Sequence, residues 1–235
     1  MNRHLLHLLL VLLSVCSPLL GQEPPASAAS PEAIAKIQEA QELSRRERFV
    51  DALAKLDEAE ALSPNIAQIY NLRGSIYLSR PLRDFALATE MFNKAEALLP
   101  GTIVVAFNRA EVFFVKQDWP AAQKAFQKVL DDFQKIPVQT RHIILFKRLI
   151  AEAKLGQNEA AEKTLKDSFT FMDDTPAYYY AKAALAFQAK DEAKAKEWMA
   201  KAAGIFKAAD VAPYLDSLTE ARWIPDISLP LLETK

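Results

Sequence analysis

The sequence predicts an all-α protein built from about five stacked helix pairs and a final capping helix. Helix-forming composition is the first reason: 51% of the residues are hydrophobic, alanine is plentiful, and only 5 of the 235 residues are glycine. The second is an internal repeat, because Ala-Glu-Ala-Leu-Ser-Pro at 59–64 returns as Ala-Glu-Ala-Leu-Leu-Pro at 95–100. A repeat that returns at this spacing, from position 59 to position 95, is typical of stacked helical hairpins. In such an array each pair covers the apolar face of its neighbour.

Residues 1–21 are expected to form a secretory signal peptide. Arg3 and the amino terminus precede an apolar run at 8–15, and Gly21 offers a small residue at a cleavage site. The run is shorter than the roughly 20 apolar residues that a membrane-spanning helix needs. We therefore expect cleavage and export to the periplasm or the extracellular space.

The single cysteine, Cys16, lies inside this segment. Its context, Leu-Ser-Val-Cys, has the leading leucine of a lipid-attachment site but a branched valine where a small residue is preferred. Lipidation at Cys16 is the minority alternative, and it would give an outer-membrane lipoprotein. Cleavage after Gly21 would instead leave no cysteine, so that neither disulfides nor thiolate–metal sites could stabilise the mature chain.

Residues 22–31 form a linker rich in proline, alanine and serine, and helical periodicity begins immediately after it. Ser30, Pro31 and Glu32 supply an N-cap, a proline at the first helical position and an acid near the positive end of the helix dipole. We expect the repeats to cover residues 32–209.

The most complete repeat covers residues 67–102. Its large and small residues follow a fixed order, namely Tyr70, Gly74, Tyr77, Ala88, Phe92, Ala95 and Pro100. This order resembles the tetratricopeptide repeat (TPR). The resemblance implies a right-handed α-solenoid with units at about 33–66, 67–102, 103–136, 142–175 and 176–208, then a capping helix at 210–224 and an extended tail at 225–235. Two extra residues lengthen the turn of the second unit, and the fourth unit matches the pattern poorly.

Residues that could carry out catalysis are scarce. His142 is the only histidine outside the signal, and no phosphate-binding glycine loop or nucleophile elbow is present. The acidic pairs Asp131–Asp132 and Asp173–Asp174 fall in predicted turns between repeats, where solvation explains them. The formal net charge of −1, without a strongly basic stretch, argues against nucleic-acid binding. We expect no enzyme activity, catalytic residue, cofactor or metal.

The TPR resemblance also implies a concave wall formed by the first helix of each pair. The groove-lining residues that it implies become aromatic towards the C-terminus, and they are Asn71, Phe107, Glu111, Phe114, Phe146, Tyr180 and Phe187. Exposed aromatic patches usually mark interaction sites, and an amphipathic helix or an extended apolar peptide is the natural ligand. Two alternatives remain: the aromatics belong to the core, or the tail at 225–235 fills the groove.

These observations together predict a non-enzymatic protein-interaction scaffold of the cell envelope, whose partners are envelope or secreted proteins. Contact with the membrane is expected only through the signal or a lipid anchor. The alternative is a lipid-anchored accessory factor, similar to pilotins, that assists assembly of an outer-membrane or secretion machine. This alternative depends on Cys16.

Overall fold

The computed structural model describes residues 29–225, and this range contains eleven α-helices and no strand. The helices, in chain order, are α1 Pro31–Arg45, α2 Phe49–Leu62, α3 Ala67–Leu78, α4 Phe85–Leu98, α5 Ile103–Val115, α6 Trp119–Asp132, α7 Val138–Lys154, α8 Asn158–Ser168, α9 Ala177–Gln188, α10 Glu192–Ile205 and α11 Ala208–Glu220. The first ten form five consecutive pairs, so the predicted helix pairs and final helix are confirmed. The predicted signal, Cys16 and nearly all of the linker and tail lie outside the described residues.

Short polar side chains begin several of these helices. The Ser30 hydroxyl accepts a hydrogen bond of 3.1 Å from the Ala33 N–H, and Pro31 opens α1. Aspartates play the same part at α4, α6 and α10, and they are Asp84, Asp118 and Asp191. Each cap satisfies a backbone donor that the first turn of a helix leaves without a partner.

The turn inside each helix pair contains a residue with positive φ. These residues are Glu47, Arg83, Gln117, Gly156 and Lys190. The N–H of the next residue then bonds to a carbonyl in the last turn of the first helix, as Asp118 does to Phe113 over 2.9 Å. A non-glycine residue in this conformation costs on the order of 1–2 kcal/mol, which the surrounding packing must offset.

The chain divides into two compact units, whose described residues are 29–112 and 113–225. In the first unit, buried aliphatic residues of α1, α2 and α3 form one cluster around Leu56 and Ile69. A second cluster joins α3, α4 and the start of α5, where Tyr70, Ala95 and Val105 are buried together.

Gly74 shows why small residues are needed where helices cross. A Cβ atom placed on Gly74 would lie 2.5 Å from Cε1 of Phe92, which is fully buried. Since that distance is far below van der Waals contact, α3 and α4 can keep their separation only with glycine at this position. The small–large pairing of the repeat is therefore a steric requirement in the second pair.

In the second unit, α7 and α9 are the most deeply buried helices. The final helix, α11, packs against both of them as well as against α10. It therefore reaches across two first helices of successive pairs instead of only covering the last one. Within residues 29–225, no helix has both the length and the apolar character needed to cross a membrane.

Candidate functional site

We call the sides of α7 and α9 that face α11 the inner side of the second unit. The final helix packs on this surface. The Tyr214 ring of α11 lies 5.1 Å from the Phe146 ring and 5.4 Å from the Tyr180 ring, measured between centroids. Trp223, just beyond α11, stacks on Phe187 with a centroid distance of 6.1 Å and an interplanar angle of 13°. The inner side is thus covered by a helix of the same chain.

Polar contacts hold the far end of α11. Gln117 donates a hydrogen bond of 3.1 Å from Nε2 to the Glu220 carbonyl. The Lys154 ammonium lies 4.1 Å from the centre of the Trp223 ring, a distance suited to a cation–π interaction. Burial lowers the pKa of Lys154, and the neighbouring Arg222 guanidinium lowers it further.

A buried hydrogen-bonded trio joins α7 and α11 through the loop between α8 and α9. His142 Nδ1 lies 2.7 Å from the Thr175 hydroxyl, which also hydrogen bonds to Tyr214. Burial lowers the pKa of His142 and raises the pKa of Tyr214, because it disfavours the charged form of each group. Both side chains are therefore neutral near pH 7.

The exposed aromatic wall predicted from the sequence is wrong in one respect, since its aromatic side chains are buried. Phe107 and Phe114 are 1% and 0% exposed, and Phe114 packs edge-on against Trp119. Of the other three, Phe146 and Tyr180 lie under α11, and Phe187 lies under Trp223, just beyond it. The expected groove surface in this unit is instead an internal contact between the repeats and the final helix.

Comparisons with known proteins agree with this arrangement of helix pairs. No protein-family model matches the sequence, and no curated protein is significantly similar to it. A tetratricopeptide repeat protein from Parabacteroides merdae superimposes with a TM-score of 0.61 at 14% identity, covering 81% of this chain and 71% of that one. The chain has the TPR fold. Its identity to this structure is low enough that the likeness concerns the fold alone.

Two further solved structures are similar. PilW, a widely conserved type IV pilus biogenesis factor, has a TM-score of 0.61 at 22% identity, covering 83% of this chain and 90% of that one. PilF from Pseudomonas aeruginosa has a TM-score of 0.58 at 15% identity, with coverages of 82% and 88%. They too share the fold with this chain.

The predicted polar members of the groove lie in the first unit of the TPR fold. Asn71 is partly exposed and accepts a hydrogen bond of 2.9 Å from the Asn108 amide, which also lies 3.4 Å from the Ser75 hydroxyl. Glu111 is partly buried. Asn71 and Asn108 belong to α3 and α5, so the side-chain amides link the first helices of two successive pairs.

Three aspartates of the two acidic pairs form local hydrogen bonds or an ion pair. Asp131 accepts a hydrogen bond from Gln127, and Asp132 forms an ion pair with Lys128, all on α6. Asp173 accepts hydrogen bonds from the backbone and hydroxyl of Thr170 within a loop. Among residues 29–225, no three or more histidine, cysteine, aspartate or glutamate side chains are grouped as a metal site would require.

An open groove of about 1120 Å³ lies between α8 and α9. Its polar lining combines carboxylates and amines, namely Glu159, Glu162, Asp167, Lys163, Lys166 and Lys182. The two signs balance, so the charges of this groove do not select a ligand.

A second aromatic surface, which was not predicted from the sequence, lies on the outer side of the last TPR pair. Here Tyr179 of α9 contacts Trp198 of α10 and Phe206 at centroid distances of 6.3 and 6.1 Å. All three side chains are partly exposed, and the adjacent Ile205 is 61% exposed. The run of tyrosines at 178–180 was the available signal, but only Tyr180 fell on the predicted groove.

Proposed function

We propose that this chain is a non-enzymatic protein-interaction scaffold of the cell envelope, which binds an amphipathic helix of a partner on the inner side of α7 and α9. The supporting observation is α11 itself, which fills that surface with Tyr214 and is followed by Trp223. A surface that accepts one amphipathic helix of this pattern can accept another, and grooves of this kind recognise helices through a few apolar anchors. α11 therefore represents the chemistry of the expected partner.

The composition of α11 favours exchange with a competing helix. Pro213 lies inside the helix, where it removes one backbone hydrogen bond. The Ser217 and Thr219 hydroxyls donate to the carbonyls four residues earlier, an arrangement that weakens helices slightly. Because α11 is a poor helix by itself, its position depends on packing, and a partner helix without proline has an advantage in competition.

Only the sequence supports the proposed location in the cell envelope. The apolar run at 8–15 and the small residue Gly21 have the order of a secretory signal. Stacked repeats offer extended surfaces for protein binding, which is the property that a scaffold outside the cytoplasm requires. Partners are accordingly sought among envelope and secreted proteins.

The test for the inner side uses a labelled peptide of residues 208–224, added to the wild type and to the double variant Tyr214→Ala and Trp223→Ala. The variant should bind the peptide at least about tenfold more tightly, because its own α11 competes less well. Val50→Ala, a change at a residue 77% exposed on α2, is the matched control and should leave binding as in the wild type. Equal binding by all three proteins would contradict the proposal.

The alternative function is a lipid-anchored accessory factor for assembly of an outer-membrane or secretion machine. It is motivated by Cys16 and by the fold shared with PilW, a type IV pilus biogenesis factor. The intact mass of the protein isolated from membranes distinguishes the two. A mass that begins at Gln22 without an acyl group excludes the anchor, whereas an acylated N-terminal cysteine establishes it.

A further inference from the structure

Within residues 29–225, the last helix pair lacks the cover that an internal pair receives. In the second pair, Tyr70 of α3 and Ala95 of α4 are buried against Val105 of α5, the first helix of the next pair. Met91 and Leu98 pack against the same cluster. Within the array, a stacking face of this composition is therefore covered by the apolar face of the first helix of the next pair.

The corresponding positions of the fifth pair carry large apolar side chains. The second helices of the two pairs can be aligned by their repeat residues, so that Ala88, Phe92 and Ala95 match Ala195, Met199 and Ala202. This alignment identifies the residues of the fifth pair that are equivalent to the stacking residues of the second pair. Tyr70, Met91 and Leu98 correspond to Tyr179, Trp198 and Ile205, once the two extra residues of the 79–84 turn are allowed for.

The equivalent residues of the second and fifth pairs differ in their exposure to solvent. Tyr70 is 1% exposed and Leu98 is partly buried, whereas Tyr179 is partly exposed and Ile205 is 61% exposed. The difference arises because α11, the one described helix after α10, reaches the inner side of α7 and α9. We call Tyr179, Trp198, Ile205 and Phe206 the outer face.

Two lysines border the outer face beside Trp198. The Lys201 and Lys194 ammonium groups lie 4.4 and 5.6 Å from the centre of the Trp198 ring, and both form ion pairs of 2.8 Å with Glu197. These two lysines share one carboxylate, Glu197, so the border beside Trp198 carries a net positive charge.

This charge selects among possible occupants. Two copies of the outer face would bring two borders of net positive charge together, and like charges oppose such pairing. A helix with acidic residues beside an apolar stripe would satisfy both the aromatic surface and the lysines. Desolvated tryptophan and tyrosine side chains are the usual anchors of such contacts.

We infer that the outer face binds an acidic amphipathic helix of a partner protein, seated on α9 and α10 as Val105 of α5 is seated on α3 and α4. The site differs from the inner side by its surface and by its charge requirement. It gives the scaffold a second place of attachment, in addition to the one in the proposed function.

Two synthetic helical peptides test this inference, each with the same leucine and valine stripe and with either glutamate or lysine beside it. The wild type should bind the glutamate peptide about tenfold or more tightly than the lysine peptide, with a change in Trp198 fluorescence. Ile205→Asp should abolish that binding, and Lys201→Glu should remove the preference for glutamate. Val50→Asp changes an exposed apolar residue elsewhere and should leave both affinities unaltered.

Other outcomes would overturn the inference. Equal affinity for the two peptides, or unchanged binding in a folded Ile205→Asp variant, contradicts an acidic occupant. Self-association of the wild type that Ile205→Asp abolishes would assign the face to a second copy. Tyr214→Ala with Trp223→Ala should not affect glutamate-peptide binding, and an increase would place the peptide on the inner side and leave only the proposed function standing.

Discussion

The two sides of α9 differ although both are aromatic. Tyr180 is 1% exposed and lies under Tyr214 of α11, whereas its neighbour Tyr179 is partly exposed and contacts Trp198 and Phe206. The same residue type in adjacent positions is therefore core on one side and surface on the other. In this chain, the path of the final helix decides which aromatic surface is free for a partner.

The largest expected effect of breaking this contrast is on stability. Tyr180→Ala should lower the free energy of unfolding by about 3–5 kcal/mol, because it removes a fully buried aromatic ring. Tyr179→Ala should cost only about 1 kcal/mol, since its ring already contacts solvent. Urea unfolding followed by circular dichroism measures both, and equal losses would show that the two sides are alike.

A double-mutant cycle should resolve the cover on the inner side. Phe187→Ala and Trp223→Ala should show a coupling energy of about 1 kcal/mol, since the stacked rings interact directly. Phe187→Ala combined with Trp198→Ala, on the outer face, should be additive within about 0.5 kcal/mol. Coupling between Phe187 and Trp198, without coupling between Phe187 and Trp223, would contradict the described packing.

Acid should weaken the inner side through His142. Burial holds the pKa of His142 below its ordinary value; Asp173 acts in the opposite direction, and Arg141 lowers the pKa further. The contribution of His142 to the free energy of unfolding is therefore fully present above about pH 6.5, the pKa of histidine in the unfolded chain. It is lost as the pH falls through the lower pKa of His142 in the folded state.

The slope of this loss should not exceed about 1.4 kcal/mol per pH unit for one proton. Unfolding curves between pH 7.5 and 5 measure it, and His142→Gln should flatten the dependence. A variant that retains the full slope would assign the effect to another group.

The smallest effect is expected at Glu197, beside the outer face. Hydrogen bonds from Lys194 and Lys201 lower its pKa to about 2, although the carboxylate is solvent-exposed. Glu197→Gln should leave the melting temperature essentially unchanged, because solvent screens such surface ion pairs. An NMR titration of the wild type should give the low pKa directly, and an ordinary value near 4.3 would show that the lysines do not hold this carboxylate.

Much of the fold follows from local signals that the sequence contains. Ser30 and Pro31 begin α1 as expected, and Gly74 faces Phe92 at a helix crossing. The left-handed turns gave little signal, because Glu47 and Lys190 occupy positions where glycine would be the usual indication. Tertiary packing imposes these conformations, and local propensity does not reveal it.

The candidate site was harder to predict for a similar reason. The helical period of Phe146, Tyr180 and Phe187 identifies an apolar stripe but does not say what covers it. The apolar residues of α11 predicted a helix that must pack somewhere, and nothing local distinguishes the end of the array from its inner side. Such a choice depends on contacts between residues distant in the chain.

Hydroxyl-radical footprinting with residue-resolved mass spectrometry tests most directly whether α11 covers one side of α9 and leaves the other open. Tyr179 and Trp198 should be oxidised readily, while Tyr180 and Tyr214 remain protected under native conditions. Oxidation of Tyr180 and Tyr214 at the rate of Tyr179 would contradict the account, because it would mean that the final helix does not occupy the inner side.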